Sequence, residues 1–344
     1  MDEVEVEFIE TLLRLLNSST ASLLTSLSGR CGKLASMYCS KHFNLNFVLS
    51  PSSFSAQITV KCCDKKPFEA VTYAEENVKY LDRLIITIPT LFDVRSSESL
   101  SDATFMKLRN LAAKSRSVQV EIEENCSKLR SISKYVTDLI FWMQKRNEKV
   151  NEFLLDVIKN KKLRSIHMNE VPNDESFLKL FFEPNFKQMI ANTTVPIELV
   201  ANILSQWLET DRKNEKLLSS PIVLEKRIIT NFQRIITWNG RLPEIKDFEI
   251  PFWISEEIRQ VRYYEMIPTA RFYTMEHPKL SNHRACFLLV ADLDNTDKYD
   301  ELFEAAFDGQ NKCKYYRDYL RERIDDVDDK TFAMKIDGFY LFFC

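Results

Sequence analysis

Apolar residues along this chain recur in two rhythms, one of strands and one of helices, and both are sharpest between Lys161 and Glu209. Leu163, Ile166 and Met168 are spaced L-x-x-L-x-L, and Phe186, Met189 and Ala191 repeat that spacing 23 residues later. Each triplet predicts a short strand with one apolar face, because successive strand side chains point to opposite sides. Thr193-Thr194-Val195-Pro196 then predicts a helix start, proline being tolerated in the first turn. Ile197, Val200, Ala201, Leu204, Trp207 and Leu208 line one face of that helix through three turns, a stripe that reads as core. Glu183-Pro184 ends the helix before it.

The strand spacing recurs at Leu81, Leu84 and Ile86, closed by Pro89. Phe54, Ala56, Ile58 and Val60 alternate with polar neighbours, as do Val118, Val120 and Ile122, and both runs predict half-buried strands. Residues 4–40 predict a helical hairpin. Its first helix carries Phe8, Ile9, Leu12, Leu13 and Leu16. Asn17-Ser18-Ser19-Thr20 supplies a turn with capping chemistry, and the second helix carries Leu23, Leu24, Leu27, Leu34 and Met37, interrupted by Gly29 and Gly32. Further helices are predicted over 99–113 (Phe105, Leu108, Leu111), 130–145 (Tyr135, Val136, Leu139, Ile140, Met143) and 151–159 (Phe153, Leu154, Val157, Ile158).

Beyond Asp211 the pattern turns to aromatic, strand-like runs over Ile222–Trp238 and Phe248–Tyr273, with a buried strand over Phe287–Val290. A short helix over Asp300–Phe307 and a polar one over Lys314–Arg323 follow. Thr331–Ile336 and Phe339–Phe343 flank Asp337-Gly338, which predicts a closing hairpin. A repeat of about 20 to 29 residues with the L-x-x-L-x-L spacing marks leucine-rich-repeat-like units, each needing neighbours to cover its apolar face. The predicted fold is therefore α/β: irregular leucine-rich-repeat-like strand-helix units, helices on one side of a parallel sheet, an N-terminal helical element and a strand-rich C-terminal part. Residues 1–45, 46–210 and 211–344 are the expected divisions.

Composition narrows the classes. Charged residues are 28% and hydrophobic ones 45%, and the net charge is −3 with a pI near 6.0, so nothing global draws the chain to nucleic acid or to a membrane. The run Lys159-Asn160-Lys161-Lys162 reads as a solvated helix end. The opening MDEVEVEF is acidic where a secretory signal is basic, and the run Cys286–Ala291 is far below the ~20 residues a membrane span needs. The eight cysteines (31, 39, 62, 63, 126, 286, 313 and 344) form no C-x-x-C pair and read as reduced thiols. An intracellular protein, cytoplasmic or nuclear, is expected. Five glycines in 344 residues leave little material for phosphate-cradling loops, and Gly29-Arg-Cys-Gly32-Lys33-Leu34 has the wrong spacing for one.

Candidate chemistry is sparse. Leu288-Leu-Val-Ala-Asp292-Leu-Asp294-Asn-Thr296 resembles the first motif of haloacid-dehalogenase-like phosphatases, in which Asp292 would be the nucleophile, Asp294 the general acid, and both would help hold magnesium. Asp325-Asp326 could serve as a second acidic motif, but the 48 residues after Thr296 are few for the strand-helix units of such an enzyme. As an EF-hand the same run fails, with Asp297 at the glycine position and Phe303 at the twelfth. His277, His283 and Cys286 have a loosely metal-like spacing without a fourth ligand. His42 and His167 have no nucleophile motif beside them. No cofactor or metal is expected.

Two regions together resemble the nematode F-box proteins that carry an F-box-associated domain. Leu12-Leu-Arg-Leu-Leu16, the Asn-Ser-Ser-Thr turn and Ala21-Ser-Leu-Leu-Thr-Ser-Leu-Ser-Gly-Arg-Cys-Gly-Lys-Leu34 resemble a degenerate F-box. It lacks the opening Leu-Pro and has Gly32 where a bulky residue is usual. The strand, the helix ending in Gln206-Trp207, the aromatic strands and the closing K-I-D-G-F-Y-L-F-F resemble the associated domain. The resemblance implies a non-enzymatic interaction protein, a substrate receptor of a Skp/cullin-type ubiquitin ligase, whose leucine face (Leu12, Leu16, Leu23, Leu24, Leu27) docks a Skp-type adaptor while other surfaces bind a protein substrate. The alternatives are the magnesium phosphatase using Asp292 and Asp294, and an interaction protein without ligase coupling. Neither nucleic acid nor membrane is expected as a partner.

Overall fold

The structure of the chain, a computed structural model, describes residues 6–15, 18–50, 55–61, 67–91, 98–99, 101–124, 127–143, 148–172, 174–211, 215–220, 269–291 and 336–343. They form two compact units, Met1–Arg164 and Ser165–Cys344.

The first unit opens with three helices, α1 (Val6–Leu15), α2 (Ser18–Leu23) and α3 (Gly29–Lys41), the last two joined through a 3-10 turn at Leu24–Ser26. Strands β1 (Phe43–Leu49) and β2 (Ser55–Lys61) and helix α4 (Pro67–Glu76) follow. Then come β3 (Leu81–Ile88), β4 (Glu98–Ser99), α5 (Asp102–Lys114), β5 (Ser117–Ile122), a 3-10 segment Ser127–Tyr135, β6 (Asp138–Phe141) and α6 (Glu148–Ile158). The strand order is β6-β5-β3-β1-β2-β4, with β1, β3, β5 and β6 parallel and β2 and β4 antiparallel.

Strict alternation builds this sheet. On one face Phe47, Ile86, Val120 and Leu139 stand side by side in register, all fully buried. On the other face, Asn46, Ile85, Gln119 and Asp138 remain partly exposed. Helices therefore cover one face only. Local chemistry sets their ends: the Ser101 hydroxyl accepts the Thr104 N–H at 3.1 Å and caps α5.

The second unit contains β7 (Ser165–Glu170), α7 (Glu175–Phe181), β8 (Gln188–Thr194), α8 (Ile197–Glu209) and β9 (Lys216–Ser220). Its remaining strands are β10 (Thr269–Glu276), β11 (Arg284–Ala291) and β12 (Ile336–Phe343). The order is β7-β8-β9-β12-β11-β10, parallel through the first three and antiparallel beyond. Ile166 lies beside Met189 and Met168 beside Ala191, so the sequence repeat is also the spatial register. Leu163, Ile166, Met168, Phe186, Met189 and Ala191 are all buried, as are Leu204 and Trp207 of α8. The fold is α/β with strand-helix units side by side. No helix among the described residues is long and apolar enough to cross a membrane.

Three expectations are corrected. The helix over 130–145 is a 3-10 segment followed by β6. Tyr135, Val136, Leu139, Ile140 and Met143 fit helical spacing, but Val136, Leu139 and Phe141 also carry the L-x-x-L-x-L strand spacing and are the buried set. Thr137 settles it by bonding β5 twice, its Oγ1 accepting from Val118 N at 2.9 Å and its backbone N–H donating to Val118 O at 2.9 Å. The N-terminal hairpin is three helices, because the chain leaves helical geometry at Leu27 and restarts at Gly29, whose φ is 80°. The closing Asp337-Gly338 turn is not formed: β12 runs straight through it, Gly338 pairs with Val290, and a register shift beside that pair absorbs the irregularity. The strand-like pattern from Phe47 to Val94 begins inside β1, which starts at Phe43, and is interrupted by helix α4. The runs over Ile222–Trp238, Asp300–Phe307 and Lys314–Arg323 lie outside the described residues.

Gly32 sits on α3 where the preceding turn comes closest. A Cβ there would stand 1.8 Å from Leu27 O, a backbone atom that cannot swing away. We expect Gly32→Ala to destabilise the first unit by about 2 kcal/mol or more, an overpacking cost set against the small helix-propensity gain. Urea unfolding of the variant against the parent measures it.

Candidate functional site

The three helices hold a core of their own. Ile9, Leu13, Ala21, Cys31, Ala35 and Tyr38 are buried together, with Leu24, Leu27, Leu34, Cys39 and Tyr80 packed against them. On α1 the positions that face inward, Ile9 and Leu13, are four residues apart, and so are Phe8 and Leu12 on the next stripe. Phe8 is 62% exposed, Leu12 37% and Leu23 71%. Met37 on α3 is also exposed. Of the leucines anticipated as a docking face, Leu12 and Leu23 are thus outward, whereas Leu24 and Leu27 pack inward; Leu16 lies outside the described residues. Phe8 joins the outward set, and its i+4 spacing from Leu12 was the available signal.

The open face of the first sheet is a polar lattice. Arg83 donates to Gln119 Oε1 at 3.2 Å, Gln119 Nε2 donates to Glu121 Oε1, and Thr87 donates to Glu121 Oε2 at 3.2 Å. Ser117 donates to Asp138 Oδ2 at 3.0 Å, and Thr137 donates to the same atom at 2.7 Å. Burial lowers the pKa of His42, next to this sheet; Asp82 opposes that shift and Arg116 reinforces it. Arg83, Thr87, Ser117, Gln119, Glu121, Thr137 and Asp138 are each held by a neighbour in this lattice.

The second unit's titratable groups are set into its core. His277 and His283 are buried, and their ring nitrogens are engaged. Lys279 N and Leu280 N donate to His277 Nδ1 at 3.1 and 3.0 Å, which leaves Nε2 as the protonated nitrogen, 2.8 Å from Trp207 O. The Trp207 indole N–H donates to His283 Nε2 at 3.1 Å, and its ring lies 5.3 Å from that of Phe343. The metal-like spacing of His277 and His283 therefore serves to tie the end of α8 to the β10–β11 connection. Cys286 is buried, and Cys31 and Cys39 are free thiols. On β7, His167 bonds Asn192 of β8 through Nε2, and burial lowers its pKa while Asn192 opposes the shift.

Lys216 is the least expected group. It opens β9 only 2% exposed, and its Nζ donates to Glu183 O at 2.7 Å and Phe186 O at 2.8 Å. It thereby satisfies carbonyls just past the end of α7, where helix-end acceptors have no intrahelical partner. Burial brings its pKa down to about 8, with Lys187 acting in the same direction and Glu183 against it.

Asp292 and Asp294, and Asp325 and Asp326 with them, lie outside the described residues; β11 ends at Ala291. No protein-family model matches the sequence, and no curated protein matches it.

Two outcomes follow from the buried polar groups. Replacing Trp207 with Phe keeps an aromatic side chain but deletes the donor to buried His283 Nε2 and the five-membered ring around it, which should cost about 2–4 kcal/mol by chemical denaturation. Because Lys216 titrates lower in the fold than in the unfolded chain, the unfolded state binds more protons between pH ~8 and ~10.5. Stability relative to Lys216→Met should accordingly rise with pH through that window and lose that gain as pH falls back through about 8. Parallel melts of the two proteins across the window test the sign.

Proposed function

We propose that the chain is a non-enzymatic interaction scaffold and acts as a substrate receptor of a Skp/cullin-type ubiquitin ligase. The observation that carries the reading is the N-terminal element: three short helices with a private core and the large apolar side chains Phe8, Leu12 and Leu23 turned to solvent. Large apolar groups gathered on one small element mark a surface that is covered by a partner. The resemblance to the F-box supplies the identity of that partner, a Skp-type adaptor. The strand-helix units read as leucine-rich-repeat-like, supported by the 23-residue register between β7 and β8, and the one-sided covering of the first unit's sheet leaves a polar face for a protein substrate.

The inward packing of Leu24 and Leu27 refines the docking face to Leu12 and Leu23 with Phe8. Co-expression with a Skp-type adaptor should yield a complex on size exclusion. A Leu12→Asp/Leu23→Asp variant should lose it at least tenfold while staying folded, at a stability cost of about 1–2 kcal/mol set mainly by the half-covered Leu12. A parent chain that forms no complex would leave the scaffold without ligase coupling.

A further inference from the structure

The margin of the first unit where its parallel strands begin carries a row of cations laid over tyrosines. Lys41 closes α3 just before β1, Lys79 and Tyr80 precede β3, Arg116 precedes β5, and Lys134 and Tyr135 precede β6. These four strands are neighbours and parallel, so their starting ends lie along one edge. The Nζ atoms of Lys41 and Lys79 are 5.4 and 5.0 Å from the Tyr80 ring centre. Those of Lys134 and Lys162 are 5.0 and 5.9 Å from that of Tyr135. Arg116 lies 6.0 Å from the Tyr38 ring centre and donates to its hydroxyl at 2.7 Å.

The row is built rather than incidental. Asn160 donates to Ser133 O at 3.3 Å and Val136 O at 3.1 Å and accepts from Lys162 N at 3.1 Å, which holds Lys162 next to Tyr135. Lys41, Lys79, Lys134 and Lys162 are exposed and form no ion pair with a described carboxylate. Asp82 and Asp138 stand just inside the margin, and Asp138 already accepts from Ser117 and Thr137. Lys134, with Arg109 acting the same way, draws the Tyr135 hydroxyl below the usual tyrosine range, as an electropositive margin should. The Lys159–Lys162 run, a solvated helix end by itself, is one stretch of this row.

We propose that this margin is a docking surface for an acidic, extended segment of a partner protein. Four strand starts at about 4.8 Å spacing span about 15 Å, the reach of five or so extended residues. Complementary charge along such a strip aligns a segment with alternating carboxylates or phosphorylated side chains. Single-stranded nucleic acid fits less well: it needs bare aromatic faces for base stacking, and these tyrosine rings carry ammonium or guanidinium groups. The surface is separate from the Phe8, Leu12 and Leu23 face, and the inference does not depend on adaptor binding.

The test is fluorescence anisotropy of the full chain with a labelled peptide of alternating Glu and Ser, its Gln/Ser counterpart, and a labelled oligothymidylate of equal length. The acidic peptide should bind, the Gln/Ser peptide should not, and binding should fade as added salt shortens the Debye length toward about 3 Å. Lys79→Glu/Lys134→Glu should weaken it about tenfold or more, and Lys79→Gln/Lys134→Gln by a smaller factor. Leu12→Asp/Leu23→Asp should leave it unchanged, which separates this surface from the adaptor face. Tighter binding of oligothymidylate, no binding of the acidic peptide, or binding indifferent to both lysine pairs would overturn the proposal.

Discussion

One constraint governs both units: each strand has to place its apolar set on the same side as its neighbours. In the first unit Leu45, Leu84 and Val118 form one buried row, and Phe47, Ile86, Val120 and Leu139 form the next. In the second, Ile166, Met189, Leu218, Leu341 and Phe287 make a single buried row across parallel and antiparallel strands alike. A slip of one residue anywhere would turn a whole strand's apolar set to solvent, several side chains at about 1.5–3 kcal/mol each. Register is the specified quantity, and helices are laid down to cover it.

That constraint explains which parts of the fold could be read from the residues. The strands at Leu81 and Val118 announce themselves because alternation on a sheet covered on one face leaves a periodic trace, and those after Leu163 and Phe186 because one apolar spacing repeats after 23 residues. β6 is harder to read because Val136, Leu139, Ile140 and Met143 satisfy two periods at once, and four residues of strand are too few to separate them. The start of β1 escapes notice since Asn44 and Asn46 interleave with Phe43, Leu45 and Phe47 in a residue type poor in strand propensity. The Asp337-Gly338 pair misleads for the opposite reason: it is good local turn chemistry overridden by pairing on both sides of β12. Local preference of a few tenths of a kcal/mol does not outweigh a central strand's two ladders.

The site was legible only in part. That leucines would gather in the first forty residues is plain from the chain, but which of them face outward depends on a break at Leu27–Ser28 that moves Leu24 and Leu27 inside. The buried polar groups left no trace at all. Lys216 reads as a surface lysine, and its role depends on carbonyls 30 and 33 residues away. His283 offers only a loosely metal-like spacing, and nothing near it in the chain points to the Trp207 indole, 76 residues distant, that donates to its Nε2. Such pairings belong to tertiary structure, where a desolvated polar atom is stable only beside a partner of the right kind.

The helical core and the basic margin of the first unit meet at one cluster. Tyr38 belongs to the helical core, yet its hydroxyl accepts from Arg116 at the head of β5, and its ring packs edge-on to His42 at 4.2 Å. Tyr80, 5.8 Å from Tyr38, closes the same core and carries Lys41 and Lys79. The three-helix element is therefore joined to the basic margin by aromatic and charge-assisted contacts. Gly32 serves the same end: with no side chain of its own, it lets the Leu27 carbonyl close against α3, and the core that Tyr38 anchors stays compact.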